Sequence, residues 1–283
     1  FVYNDLMKNS NIKSMKLYNH VDRILNEIRE MGKKDSQALK ADDLINFDQL
    51  HYCGIEAVDY CINNLNIDSS MEILEIGSGL GGPARYIASK TKAKIYALEL
   101  QDDQNKIASN LTKRCGLDKA INHICGDILT YYWDKKKFNC IVSWLTLFHI
   151  HEHEKLLKKC FDLLRPNGYF YAEDLIGKQT FSNDELSALS TELYANYLPN
   201  FKTYEFELKK NGFKIIYYED MTDEWANFTK RRKESYLKQR DRHIRVHGID
   251  VFNSLNSFYT FIDKYFSNGK LGGIRVIAKK NDI

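Results

Sequence analysis

An apolar strand that runs directly into a cluster of glycines constrains this chain more than any other feature. Ile73-Leu-Glu-Ile76 is followed by Gly77-Ser-Gly79-Leu-Gly81-Gly82, and Pro83 to Lys90 then carries a helical pattern. Pro83 sits near the first turn, where a missing N–H costs nothing. A strand-to-helix turn of this kind lets the backbone approach a ligand closely, and the N–H groups of the helix start remain to be bonded. By itself the loop is ambiguous: Gly77, Gly79 and Gly82 also satisfy the dinucleotide spacing G-x-G-x-x-G.

Downstream, strand and helix patterns alternate. Strands are expected at Lys94–Leu98, His123–Cys125, Phe138–Trp144 and Tyr169–Ala172, with Arg165-Pro-Asn-Gly168 as a turn before the last of these. Helices are expected at Asp103–Cys115 and Glu154–Leu164. This rhythm implies an α/β fold: a Rossmann-like, seven-stranded, mostly parallel sheet with helices on both faces. The rhythm then loosens into a helix at Thr203–Asn211, a strand at Phe213–Tyr218, and helical segments at Asp223–Val246 and Val251–Phe266. A last strand, Gly273–Lys279, is expected to pair antiparallel. Leu17, Val21, Ile24, Leu25, Ile28 and Met31 recur at helical spacing before Gly32, and a second helix runs through Ala57, Val58 and Cys61. The expected organisation is an N-terminal helical segment over residues 1–69 that covers the site, and a main domain over 70–283 with a helical lid at about 223–268.

Composition excludes several classes. A chain of 283 residues fits one α/β domain with added helices. A formal net charge of +3 is too small to argue for nucleic acid or a membrane surface. No apolar run approaches the roughly 18 residues of a membrane span. The basic run Lys230-Arg-Arg-Lys233 with Lys238, Arg240, Arg242 and Arg245 reads as a solvated helix face or as a contact for an acidic group of a substrate. Six cysteines without a C-x-x-C pair read as reduced core residues, and Phe1-Val-Tyr-Asn-Asp5 lacks the layout of a signal peptide. The expectation is a cytoplasmic monomer or homodimer with no nucleic-acid or membrane partner. His149, His151 and His153 alternate with Glu152 and Glu154, but an alternating run at a helix start scatters its side chains and no H-E-x-x-H is present, so no metal is expected.

Three acids select the ligand of the glycine loop. Glu75 lies inside the apolar strand, where a carboxylate is costly without a partner. A pyrophosphate would be repelled there, whereas the ammonium and sulfonium of S-adenosylmethionine would be attracted. Glu99 ends the next strand, where a carboxylate can accept from ribose hydroxyls. Asp127, in Gly126-Asp-Ile128, follows the third and can accept from the adenine amino group while Ile128 packs on the ring; a cap is the other role open to Asp127.

With these residues in place the chain resembles the class I S-adenosylmethionine-dependent methyltransferases. Glu75-x-Gly77-x-Gly79-x-Gly81 is similar to their first motif, and Leu163-Leu-Arg-Pro-Asn-Gly168 to the turn before their fifth strand. Gly77 to Tyr86, Gly126-Asp-Ile-Leu129 and Phe148-His149 further resemble small-molecule N-methyltransferases of the phosphoethanolamine and glycine/sarcosine/dimethylglycine groups. The resemblance implies a cofactor set of Glu75, Gly77, Ser78, Gly79, Gly81, Glu99, Gln104, Asp127, Ile128 and Ser143, with S-adenosylhomocysteine as product and a small molecule, favoured as an amine, as methyl acceptor. O- or C-methylation is the alternative, and a non-catalytic S-adenosylmethionine-binding protein is the alternative of another class. One position departs from the resemblance: Leu145 stands two residues after Ser143, where those enzymes often carry Asp.

Methyl transfer is an in-line displacement, so alignment and an unprotonated nucleophile matter most. In a doubly wound sheet the acceptor lies beyond the carboxyl ends of the strands. His149 leaves the fourth strand at that edge and is the candidate base, with capping of the next helix as its other role. Tyr18 is its candidate partner. His51 and Tyr52 are expected to contact the acceptor, and Glu173 and Asp174, after the fifth strand, are the acids best placed to substitute for the Asp absent at position 145.

Overall fold

The computed structural model describes residues 15–281; Phe1 to Asp5 lie outside the described residues. Helix α1 (Arg23–Glu30) and α2 (Gly54–Leu65) precede the sheet. The alternating part then runs β1 (Glu72–Ile76), α3 (Gly82–Thr91), β2 (Lys94–Glu99), α4 (Asp102–Arg114), β3 (Ile121–Cys125), β4 (Phe138–Trp144), α5 (His153–Leu163) and β5 (Leu164–Gly177). The remainder is α6 (Asn183–Glu192), α7 (Phe201–Lys210), β6 (Phe213–Asp220), α8 (Thr222–Lys238), α9 (Arg240–His247), α10 (Ile249–Ser267) and β7 (Leu271–Lys280). The seven strands form one sheet in the order β3-β2-β1-β4-β5-β7-β6. All neighbours pair in parallel except β7, which is antiparallel to both β5 and β6. The expected fold class and the direction of the last strand are therefore both observed.

Strand alternation sends successive side chains to opposite faces. In β1, Leu74 and Ile76 join the core beneath α5 and α7, while Ile73 joins the core beneath α2 and α3. Glu75 points the same way as Ile73. The sheet reverses its winding between β1 and β4, which opens a crevice at their carboxyl ends.

The N-terminal segment departs from its expected form. The continuous helix expected up to Gly32 is a short 3-10 turn at Lys16–Tyr18 followed by α1. The apolar positions that suggested one helix serve two cores: Leu17 packs with Leu255 and Phe258 of α10, whereas Val21, Ile24 and Ile28 pack with Leu80 and Leu111. The helix expected over Asp223–Val246 likewise breaks at Gln239 into α8 and α9, which lets Arg242 and Arg245 reach Glu27 and Glu30 of α1. Strand β5 is longer than expected at both ends. The Arg165–Gly168 turn is an irregularity inside it, with Asn167 at φ 61 and a register break against β4, and pairing with β7 carries it to Gly177.

The N-terminal segment is fixed to the glycine loop by a buried ion pair. Arg85 of α3 is fully buried and donates to Asp48 Oδ2 at 2.9 Å and to the carbonyl of Leu80 at 2.6 Å. The contact is tight: a Cβ on Gly82 would stand 2.5 Å from the Asp48 carbonyl oxygen. Removing one partner of a buried pair strands the other charge, at a cost of about 3–5 kcal/mol. Asp48→Ala should lower unfolding stability by that amount in a denaturant titration. The double variant Asp48→Leu/Arg85→Met should lose less than Asp48→Ala alone, and equal or larger loss in the double variant would show that the charge pairing is not what is being broken.

Candidate functional site

The crevice at the carboxyl ends of β1, β2, β3 and β4 holds a cavity of about 270 Å³. Its floor is the β1–α3 turn. Gly77 has φ +73, and a Cβ there would fall 2.2 Å from the Thr146 side chain, so both its conformation and the space around it demand glycine. The Gly77 and Ser78 N–H groups both donate to the Leu98 carbonyl, tying the turn to β2. Gly81, at φ +76, starts α3 behind the cavity and does not line it.

Glu75 lines this cavity. Its Oε2 is buried and has no hydrogen-bond partner, and burial raises its carboxyl to about 8. Three further buried oxygen atoms in the same wall also lack partners: Ser78 Oγ, Gln101 Oε1 and Gln104 Oε1. Buried polar atoms are normally paired, so this concentration at one cavity marks a place built for a polar ligand. Glu99 is the second acid. It accepts from the Gly79 N–H at 2.8 Å and the Gln101 N–H at 2.9 Å, so it both shapes the loop and faces the cavity. Asp127 and Ile128 line the rim; Asp127 Oδ1 accepts from the Leu129 N–H, which makes it the cap of its own turn as well. Ser143 does not reach the cavity. Its hydroxyl donates to the Ile76 carbonyl at 2.9 Å and so couples β4 to the end of β1.

Tyr18 and His149 meet on the opposite wall. His149 Nδ1 lies 2.8 Å from the Tyr194 carbonyl oxygen, which can only accept, so Nδ1 carries the proton and Nε2 offers its lone pair. The Tyr18 hydroxyl, 3.3 Å away, donates to that Nε2. Burial lowers His149 to about 4, so it is a neutral acceptor at pH 7, and burial together with the Glu99 charge raises the Tyr18 hydroxyl. His51 also lines the cavity, with Nε2–H donating to the Gly54 carbonyl and its ring 5.7 Å from that of Trp144.

Three expected acceptor contacts lie elsewhere. Tyr52 is buried among Trp225, Phe228 and Phe266 and does not line the cavity. Glu173 is buried on β5 and accepts from Tyr171 and from Arg275 of β7 at 2.8 Å. Asp174 is buried on the other face and accepts from the Phe148 N–H. The acids appeared to end a strand; in fact the strand continues, and neighbours of β7 and α7 satisfy both. Asp174 nevertheless supports the site, because it holds the backbone that presents His149. Asn196, which sequence inspection missed, does the same by donating to the His149 carbonyl at 2.7 Å. Leu145, at φ 50, lines the cavity and leaves that wall apolar.

Residues 74–172 match the family described as a methyltransferase domain. The whole chain is 25% identical over 229 residues, 81% of its length, to phosphoethanolamine N-methyltransferase 1 of Arabidopsis thaliana. It is 26% identical over 170 residues, 58% of its length, to a sterol 24-C-methyltransferase of Aspergillus fumigatus. These alignments cover 46% and 45% of the relatives, so the chain spans about half the length of the curated proteins it matches. Among solved structures, a Haemonchus contortus phosphoethanolamine N-methyltransferase in complex with phosphomonomethylethanolamine and S-adenosylhomocysteine superposes with a TM-score of 0.79 at 17% identity, covering 100% of this chain and 61% of that one. A Galdieria sulphuraria protein described as a sarcosine dimethylglycine methyltransferase gives 0.71 at 15% identity, covering 93% and 99%. The matched residues run from within β1 into β5 and include the cavity floor, while Tyr18, His51 and Tyr194 of the cavity wall lie outside them. No helix among the described residues is long and apolar enough to cross a membrane.

The raised carboxyl of Glu75 has a consequence for stability. The unfolded chain loses this proton near pH 4.5 and the ligand-free folded chain holds it to about pH 8. Between these values the folded state binds more protons, so stability falls as pH rises. The difference in melting temperature between Glu75→Gln and wild type should therefore widen in favour of the variant from pH 5.5 to pH 8. A constant difference across that range would remove the buried charge from the account.

Proposed function

We propose that this protein transfers a methyl group from S-adenosylmethionine to a small-molecule acceptor, with an amine nitrogen as the favoured nucleophile and S-adenosylhomocysteine as the product. The observation that carries the reading is Glu75 Oε2, a buried carboxylate oxygen without a partner beside the glycine loop. A cationic ligand satisfies it; a pyrophosphate does not. Glu75, Ser78, Gln101 and Gln104 take the amino-acid end of the cofactor over Gly77 and Gly79. Glu99 takes the ribose hydroxyls, and Asp127 and Ile128 the adenine. Gly81 and Ser143 act from behind, by setting the turn.

In the transfer the acceptor nitrogen forms a bond to the methyl carbon as the carbon–sulfur bond breaks, and sulfur keeps the electron pair. The nitrogen sheds one proton. Tyr18 Oη is placed to accept it while passing its own proton to His149 Nε2, and the Tyr194 carbonyl stabilises the imidazolium. Because burial opposes that charge, the dyad works mainly by holding the acceptor in line and takes the proton late. His51 is the remaining candidate for an acceptor contact, and α8 to α10 with residues 15–69 close the site as a lid and cover. A second reading, C-methylation of an apolar acceptor, has Leu145 in its favour, since an apolar wall replaces the carboxylate that a charged amine would use. Similarity to sterol 24-C-methyltransferases supports it as well.

Calorimetric titration tests the cofactor: S-adenosylhomocysteine should bind and NAD should not, and the reverse would end the proposal. Glu75→Gln should weaken S-adenosylhomocysteine at least about tenfold, the 1.4 kcal/mol scale of one charge-assisted contact. A screen of amines, phosphobases and sterols with labelled methyl donor decides between the acceptors. With the acceptor in hand, His149→Ala and Tyr18→Phe should each lower turnover by about 10² or more while leaving S-adenosylhomocysteine affinity near wild type. Loss of cofactor binding in His149→Ala would assign His149 a structural role.

A further inference from the structure

A second cavity, of about 730 Å³, lies between the N-terminal segment and the last three helices and shares Leu50 and His51 with the first. Three potential metal ligands stand in its wall: Glu27 of α1, and His243 and His247 of α9. One ligand atom from each lies within 4.8 Å of the other two. The two histidines are four residues apart on one helix and so occupy one face of it. His243 has a buried Nδ1 without a hydrogen-bond partner, so this ring nitrogen is open to a ligand.

The third ligand is already oriented. Arg242 donates to both oxygens of Glu27, at 3.0 and 2.5 Å, and His247 Nε2 lies 2.8 Å from Oε1. Two ligands of one tetrahedral zinc ion, with bonds of about 2.0–2.1 Å, stand about 3.3 Å apart. Replacing the proton between His247 and Glu27 by an ion thus needs that pair to part by about half an ångström, and His243, within 4.8 Å of both, to close by at most about 1.5 Å. Imidazole and carboxylate ligands suit zinc and similar borderline ions, and exclude none of that group by geometry. The fourth position would face the cavity.

We propose that Glu27, His243 and His247 bind a divalent transition-metal ion of the zinc class. The ion ties α9 to α1, a few residues from Tyr18, and so fixes the cover over the first cavity to the lid. It is a structural tie: it touches none of the residues assigned to methyl transfer, and the proposal stands whether or not that activity does.

The test uses the full chain after dialysis against a chelator. Titration with zinc should give one ion per chain with a rise in melting temperature, and magnesium should give neither. His243→Asn and His247→Asn should each weaken zinc at least about tenfold, since even partners that only support a metal ligand are worth 10–100-fold. Titration of wild type with cobalt(II) reads the ligand type without any variant. Visible bands of a four-coordinate ion with no near-ultraviolet thiolate charge-transfer band support the site. A thiolate band would place the ion on cysteine, and no zinc binding, or unchanged affinity in both variants, would likewise overturn the proposal.

Discussion

A carboxylate buried in the central strand of the sheet sets the terms for the rest of this structure. Glu75 sits between the apolar neighbours of β1, where desolvation alone would favour a leucine. The surroundings do not neutralise it by pairing; instead the backbone turns away immediately after it, at Gly77, and opens a space. Partnerless oxygens of Ser78, Gln101 and Gln104 collect around that space. A protein keeps such a set only where a ligand completes it, and the cost in the free state is recovered as binding free energy.

The opposite wall depends on a different constraint. Tyr18, Asp48, Leu50 and His51 come from a segment with no strand in the sheet, so it must be fastened from outside. The Asp48–Arg85 pair does this at the start of α3, and the apolar cluster of Ile24, Ile28, Leu80 and Leu111 does it alongside. Arg242 and Arg245 fasten the same segment to α9 through Glu27 and Glu30. The basic run of α8 and α9 is thereby largely consumed inside the molecule. Arg232 lies over the rings of Tyr52 and Phe228, and Lys233 pairs with Asp263.

This division explains what was legible beforehand. The glycine loop, the three acids and the β-α rhythm are local in sequence, and each sits where strand and helix periods put it. Strand β4 is observed with the expected limits, Phe138–Trp144. What failed was tertiary. The strength of Glu173 and Asp174 as apparent strand-ending acids hid the continuation of β5, because their partners Arg275 and Phe148 lie far along the chain. Helix α6 was overlooked although Ser182 and Glu185 form a capping box that its sequence announces. Tyr52 stands in the segment that the resemblance places over the active site, but Trp225 and Phe228 of α8 and Phe266 of α10 take its ring.

The acceptor side is where this physics bears most on function. One wall of the cavity is lined from strand ends and turns that are each local in sequence: Glu75, Gly77, Ser78 and Gly79 at the end of β1, Glu99, Gln101 and Gln104 at the end of β2 and the start of α4, and Asp127 with Ile128 after β3. The opposite wall is assembled from Tyr18, His51, Leu145, His149 and Tyr194, five residues brought together only by folding. Leu145 is held at positive φ and its N–H donates to the Glu173 carbonyl, so its side chain is aimed by the backbone of β5. An acid at that position would add a further acidic group to a cavity already lined by Glu75 and Glu99, and would favour a cationic ligand there. A leucine removes that attraction, so the polar groups of this wall come from Tyr18, His51, His149 and Tyr194. Under the proposed methyl transfer, the acceptor's identity would therefore rest on this wall and the methyl donor's on the other.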